Sequence, residues 1–428
     1  MAADSQRPGR RPLAAFYDPK IRATAYQLVF LLVVAWGCYQ VALNVSANLE
    51  NQRIATGFGF LTEPAGFDIN QTLIAYREGD SYARVFLVGL LNTLLVAGVG
   101  IVFATVLGFL VGIARLSPNW LLARLATGYV ELIRNLPLLF QIMFWYLAVL
   151  GALPHPRQSL SFGFAPLLQG LAERLSALEG IGVPALLNSV AEWLGPPGVY
   201  LNNRGLILPE PAVTTGGMVV LAIFAAGVVA ALWLRRWSRR RQDATGRRFP
   251  VGRAALLLVV GLPLAASLFL GAPLSMQAPE LRGFNFVGGV RLLPEFVALV
   301  IALSTYTAAF IAEVVRAGIL AVPRGQSEAA AALGLRRGHA LRLIVVPQAL
   351  RIIVPPLTNQ YLNLTKNSTL AAAIGYPDLF SVFAGSALNI TGQAIEIIAI
   401  IMAVYLAISL LTSVGMSWYN ARIQLAER

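Results

Sequence analysis

PRGQSEAAAALGLRRGHALRLIVVPQ, residues 323–348, is a polar and small-residue island between two long apolar runs. Pro323 and Gly325 close the apolar helix before it. Ser327 is the expected N-cap of a short new helix, and Glu328 then falls in the first turn, where the helix dipole favours negative charge. The alanines 329–332 follow, then Gly334, which either ends the helix or permits close approach, before Arg336, Arg337 and Arg342 restore charge. Two readings stand at this point. The stretch is an ordinary loop helix lying on lipid headgroups, or its small residues let the backbone of another protein come near.

Working outward, the flanking runs belong to a chain of 428 residues that is 57% hydrophobic and 12% charged, with a mean hydropathy of +0.68. That is the composition of an all-α integral membrane protein and excludes a soluble globular domain. The net charge of +13 does not point to nucleic acid. The arginines cluster between apolar runs and form no basic stripe interleaved with aromatics. The single Cys38 excludes an internal disulfide and a thiolate metal centre. His155 and His339 are far apart in sequence and on opposite expected sides, so no metal ligand set is expected. The only two lysines, Lys20 and Lys366, lack the glycine pattern of a phosphate-binding loop. No catalytic residues and no cofactor are expected in this chain.

Apolar runs of spanning length lie near 25–43, 84–113, 127–150, 214–234, 254–272, 294–320, 343–364 and 394–418, about eight transmembrane helices. With both termini placed inside, Lys and Arg concentrate in the inner segments, as the positive-inside rule expects. The strongest contribution is RRWSRRRQDATGRRFPVGR, residues 235–253, whose eight arginines read as a topology anchor against anionic lipid. Val45-Ser46-Ala47 has the look of a signal-peptidase site, yet the basic region is long and the apolar run exceeds a signal core, so an uncleaved anchor is expected. Residues 153–213 form a long outer segment rich in Pro and Gly, expected to hold short helices such as 166–178 and to cap the bundle or receive an outer partner.

Glu328-Ala329-Ala330, three residues, Gly334, nine residues and Ile344-Val345-Val346-Pro347 resemble the EAA loop of permeases in bacterial ABC importers. The resemblance extends further. GLLNTLLVAGVGIVFATVLGFLVGIARLSPN (89–119) and YVELIRNLPLLFQIMFWYLAVL (129–150) resemble the first two core helices of the histidine, glutamine and arginine permease group. YTAAFIAEVVRAGILAVPRGQSEAAAALG resembles its third core helix with the loop. VPQALRIIVPPLTNQYLNLTKNSTLAAAIG resembles its fourth, with one residue more before Leu370. The layout, with GFDINQTLIAY (66–76) and LNNRG (201–205), is similar to the larger permease of general L-amino acid importers.

The resemblance implies a five-helix type I importer permease core within a multi-pass protein of the bacterial inner membrane. The expected division is 1–83, with tail, first span and outer segment; 84–152, the first two core helices; 153–293, an insertion with two spans and the basic inner loop; and 294–428, the rest of the core with the coupling helix at 323–340. Glu328, Ala329, Ala330 and Gly334 inherit the role of ATPase coupling. The implied partners are a homologous second permease, two copies of a cytoplasmic ATPase that binds ATP and Mg, a periplasmic amino acid-binding protein, the L-amino acid substrate and membrane lipids, with no nucleic acid.

Ionisable groups within spans need partners or water. Glu131 with Arg134 and Glu313 with Arg316 are i,i+3 pairs near the inner ends of spans, expected as gate or structural ion pairs. In the fourth core helix Pro355 and Pro356 are expected to break the hydrogen-bond ladder. Asn359, Asn363, Lys366, Asn367 and Ser368, with Asn135 elsewhere, are the candidate substrate pathway; polar glue against a partner subunit reads equally from the pattern. The main rival is an ion-coupled secondary transporter. The docking signature and the lack of an isolated deep carboxylate oppose it.

Overall fold

The computed structural model describes residues 19–51, 56–162, 171, 173–174, 198–213, 215–246, 249–269 and 274–423. Its apolar runs fold as helices: α1 (Pro19–Asn51), α2 (Tyr82–Ala114), α3 (Trp120–Asn135), α4 (Leu138–Met143), α5 (Thr215–Thr245), α6 (Val251–Leu256), α7 (Leu262–Phe269) and α8 (Pro294–Leu320). Then come α9 (Arg324–Ala332), α10 (Arg337–Ala340), α11 (Val346–Asn367), α12 (Leu388–Thr391) and α13 (Ala394–Ile423). Wider π-helical turns continue α4 to Leu150, join α6 to α7 and join α10 to α11.

The central contact is α2 on α8, and its cause is a ladder of small residues. Gly100, Ala104, Gly108 and Gly112 recur every fourth position and are all buried. Lipid tails are as apolar as leucine, so helices associate in a bilayer through close packing, which small residues permit. Ser304 reaches the Gly100 carbonyl at 3.4 Å, Gly108 faces Ile311 and Gly112 faces Val315, so α2 and α8 run parallel. Thr105 meets the Tyr361 hydroxyl at 2.9 Å and Gly318 faces Ile353, which sets α11 antiparallel to both. Ile397, near the start of α13, packs with Val85 and Val88 near the start of α2, so α13 runs with α2.

Among the described residues six helices are long and apolar enough to cross a membrane. Seven of the eight expected runs are accounted for when the bent pair at 120–150 is one span; the eighth, 254–272, ends outside the described residues. The run expected at 127–150 is a broken pair, Trp120–Asn135 and Leu138–Leu150, bent by 107°. Pro137 explains the break, because it has no N–H to continue the ladder and disfavours helix at Leu136. The run expected at 254–272 is a shorter apolar helix, Val251–Ala266. It carries the π turn Leu257–Gly261, and Gly227 of α5 lies tight against the Leu258 carbonyl there. Pro355 and Pro356 lie inside α11 and, having no N–H, leave gaps in its ladder without ending the helix.

The membrane part is helical, but the segments that join its helices also hold strands that the sequence reading did not expect. A four-stranded antiparallel sheet has the order β1 (Leu160–Phe162), β2 (Val199–Asn202), β3 (Gly205–Leu208), β8 (Val290–Leu292). Two further pairs are β4 (Glu210–Val213) with β5 (Leu274–Gln277), and β6 (Glu280–Arg282) with β7 (Asn285–Val287). LNNRG becomes the β2–β3 turn, with Gly205 at φ +115 and no room for a Cβ beside the Leu292 carbonyl. β4 leads into α5 and β5 follows α7, so α5–α7 hangs from the sheet as a helical hairpin. The helix expected at 166–178 lies almost wholly outside the described residues.

Candidate functional site

The helix α9 sits where α8 ends and starts earlier than the sequence reading placed it. Pro323 occupies the N-cap and Arg324 the first turn, so Ser327 is internal and Glu328 lies beyond the first turn. Proline is favoured at a helix start because its fixed φ suits one and its missing N–H is no loss there. The far end is a Schellman motif. Leu335 N–H donates to the Ala330 carbonyl at 3.1 Å and Gly334 N–H to Ala331 at 2.9 Å, with Gly334 at φ +72. Gly334 therefore terminates the helix. Glu328, Ala329 and Gly334 are exposed, whereas Ala330 is buried on its own chain and cannot face a partner. Leu333, overlooked in the sequence, is 80% exposed on this rigid turn.

Within α8, two turns before its end, Glu313 accepts from Arg316 at 2.5 Å and from Arg115 of the α2 end. The expected pair is thus a three-membered node that ties the ends of α2 and α8. Arg115 was missed because its partner is nearly two hundred positions away in sequence. The Glu131–Arg134 pair does not form. Arg134 lies over the Phe310 ring at 5.0 Å, and the Glu131 backbone carbonyl accepts from Asn135 at 2.7 Å. A desolvated ring face competes well with an exposed carboxylate for a guanidinium.

At the α3–α4 break Gln141, which the sequence reading passed over, supplies what Pro137 withholds. Its Nε2 donates to the carbonyls of Ile133 and Leu136, both at 3.0 Å. Backbone groups freed within a membrane must find such partners. Gln141→Leu is expected to leave both carbonyls unpaired and to lower stability by about 1–3 kcal/mol. A thermal midpoint of the purified chain equal to that of the parent would show that the amide is dispensable.

On α11 the structure separates the candidate pathway residues. Asn359, Asn363 and Lys366 are exposed on one face, Asn367 is half-buried, and Asn135 is exposed beside the break. Ser368 is fully buried, its hydroxyl donating to the Thr365 carbonyl at 2.7 Å, which removes it from any pathway. Behind the end of this face, on the side where α2 starts, sits a buried polar cluster absent from the sequence reading. Asn92 Nδ2 donates to the carbonyls of Gln71 and Pro377, both at 2.9 Å, and Thr93 accepts from Leu379 N–H at 3.0 Å. Asp378, in the connection between two spans, accepts from Ser381 N–H and the Tyr405 hydroxyl. Burial raises its carboxyl to about 7 against these hydrogen bonds.

A helical membrane bundle with a polar face open at span depth, and a rigid small-residue helix displayed at one end, is the architecture of a membrane transport component. A family model for the inner membrane component of binding-protein-dependent transport systems matches residues 218–425. The chain is 48% identical over 415 residues to the general L-amino acid transport system permease protein AapQ of Rhizobium johnstonii, covering 97% of this chain and 95% of that one. It is 40% identical over 443 residues to the glutamate/glutamine/aspartate/asparagine transport system permease protein BztB of Rhodobacter capsulatus, covering 100% of each. A solved amino acid ABC transporter with histidines matches 80% of this chain and 95% of its own, at 20% identity and a TM-score of 0.42. The chain belongs to the family of inner membrane components of binding-protein-dependent transport systems.

Proposed function

We propose that this chain is a permease subunit of an ATP-driven importer that carries L-amino acids across the bacterial inner membrane by alternating access. The observation that carries the reading is α9, a short helix with an exposed Glu328, Ala329 and Leu333 and a fixed Schellman end, following directly on α8, the helix that carries the node with α2. Such a helix suits a groove on a cytoplasmic ATPase. ATP and Mg belong to that partner, which supplies the free energy of hydrolysis.

A homologous second permease would cover the open face of α11, and a periplasmic binding protein would deliver substrate on the side of the β-sheets. Asn359, Asn363 and Lys366 then line the path between the two permeases, with Asn135 at its edge. The Lys366 ammonium offers a partner for the substrate carboxylate, and the asparagine carbonyls accept from the substrate ammonium. The Glu313 node braces the inner end. Coupling requires α9 to make contacts that differ between the two ATPase states, since a helix held equally in both shifts nothing. The α13 end shares the side of α9, so the C-terminus faces the cytoplasm in this reading, and so does the N-terminus.

Glu328→Lys reverses the charge on the displayed face without touching the core. Uptake of labelled L-amino acids by the complete importer is expected to fall about tenfold or more, with the chain's level in the membrane unchanged. Normal uptake in that variant would overturn the assignment of α9.

A further inference from the structure

Three tryptophans are followed four residues later by arginine: Trp120–Arg124 at the start of α3, Trp237–Arg241 near the end of α5 and Trp418–Arg422 near the end of α13. The i,i+4 spacing places both members on one helix face. In two pairs the guanidinium lies over the indole, at 5.2 Å for Arg241 on Trp237 and 3.7 Å for Arg422 on Trp418. All three tryptophans and all three arginines are exposed.

The fold puts the three pairs at one level. The helices α2 and α13 run parallel, so the end of α13 lies with the end of α2, and α3 starts after a five-residue turn from that end. Helix α5 begins at β4, on the sheet side where α8 starts. Its 31 residues reach about 46 Å, enough to cross a bilayer. All three pairs therefore lie on the side of α9, each at the end of an apolar helix.

We infer that these pairs form a collar that binds anionic phospholipid headgroups around the α9 end of the bundle. Indole rings settle at the membrane–water interface, and a planar guanidinium can meet a phosphate through two parallel hydrogen bonds. Stacking on the indole holds the guanidinium there at low entropic cost. The pairs sit on three different helices, one of them in the α5–α7 hairpin. A ring of lipids can contact such a distribution; one docked protein contacts a single patch. Around Trp237 the field is strongest, with Arg235, Arg236, Arg240 and Arg253 also exposed and Phe249 edge-on to the indole at 5.9 Å.

The full chain, purified in mild detergent and exposed to equal phosphatidylglycerol and phosphatidylcholine, is expected to retain the anionic lipid about fivefold over the neutral one per arginine site, read by native mass spectrometry. The triple variant Arg124→Gln, Arg241→Gln, Arg422→Gln should retain both lipids alike. If it does not accumulate, Arg241→Gln alone should lose one tightly held phosphatidylglycerol. Equal retention by the parent chain, or an unchanged preference in the variants, would overturn the collar. So would variants that keep their phosphatidylglycerol but shed a co-purifying cytoplasmic protein, since the arginines would then be a protein-docking surface.

Discussion

Glu313→Gln is expected to loosen the α9 end of the bundle and to stop productive uptake. The carboxylate serves two guanidinium groups, with Arg115 only 11% and Arg316 33% exposed at the side chain. The Nε of each arginine has no hydrogen-bond partner. An amide keeps the shape but loses the charge that compensates two partly buried cations. Removing one partner of a fully buried ion pair costs on the order of 3–5 kcal/mol. Glu313 is itself 30% exposed, so solvent screening brings the expected loss nearer about 2 kcal/mol. The thermal midpoint of the purified chain should fall by about 2–4 °C.

The functional effect should exceed that thermal shift, because the node anchors the last two turns of α8, which lead into α9, and so transmits any displacement of that helix. Adding Arg115→Gln to Glu313→Gln should recover part of the stability, since the second change removes a cation left without its partner. A coupling energy near zero in that double-mutant cycle would show that the node is incidental.

The residues whose meaning is local were legible from the sequence. The 323–348 island was readable because helix stops, small residues and charge follow one another along the chain. Its start was misplaced by four residues, as Ser327 is a good N-cap by type but the helix already begins at Arg324 with Pro323 as its N-cap. The Glu313–Arg316 pair followed from i,i+3 spacing, whereas Arg115 joins it through a fold contact that no spacing reveals. Glu131 and Arg134 have the same spacing and no ion pair, because the environment decides: Phe310 of a neighbouring helix lies within reach of the guanidinium.

Apolar periodicity located the membrane runs but not their straightness. Pro137 was visible as a helix breaker, yet the repair by Gln141 needs a side chain that folds back over five to eight positions. Pro355 and Pro356 show the opposite outcome, as α11 runs on through both. In the outer segment the strands are three or four residues long, too short for alternation to stand out against Pro- and Gly-rich surroundings. Asn359, Asn363 and Lys366 were legible as one face because helical spacing is local. The burial of Ser368 follows from the 3-10 turn Ser368–Ile374, which changes the phase of the stripe at its last residue.

The Gly100–Ala104–Gly108–Gly112 ladder carried a signal that periodicity of hydrophobicity hides, since small residues are scored as weakly apolar wherever they fall. Its energetic weight makes the second large prediction. Gly108→Ala places a Cβ 2.6 Å from both Cβ and Cγ2 of Ile311 and 3.1 Å from the Ala308 carbonyl. Ile311 is β-branched and stiff about its first torsion, so relief must come from the helices moving apart. Alanine gains about 1 kcal/mol of helix propensity over glycine, while overpacking costs about 1–3 kcal/mol. The contact distance puts the net on the destabilising side. Gly98 on the same helix has nothing within 4 Å of an added Cβ, so Gly98→Ala should be neutral or stabilising. Gly108→Leu should prevent accumulation of folded chain altogether. Fluorescence-detected size-exclusion chromatography after graded heating distinguishes the three variants. If Gly108→Ala survives to the same temperature as Gly98→Ala, the α2–α8 seam does not depend on close approach at that position.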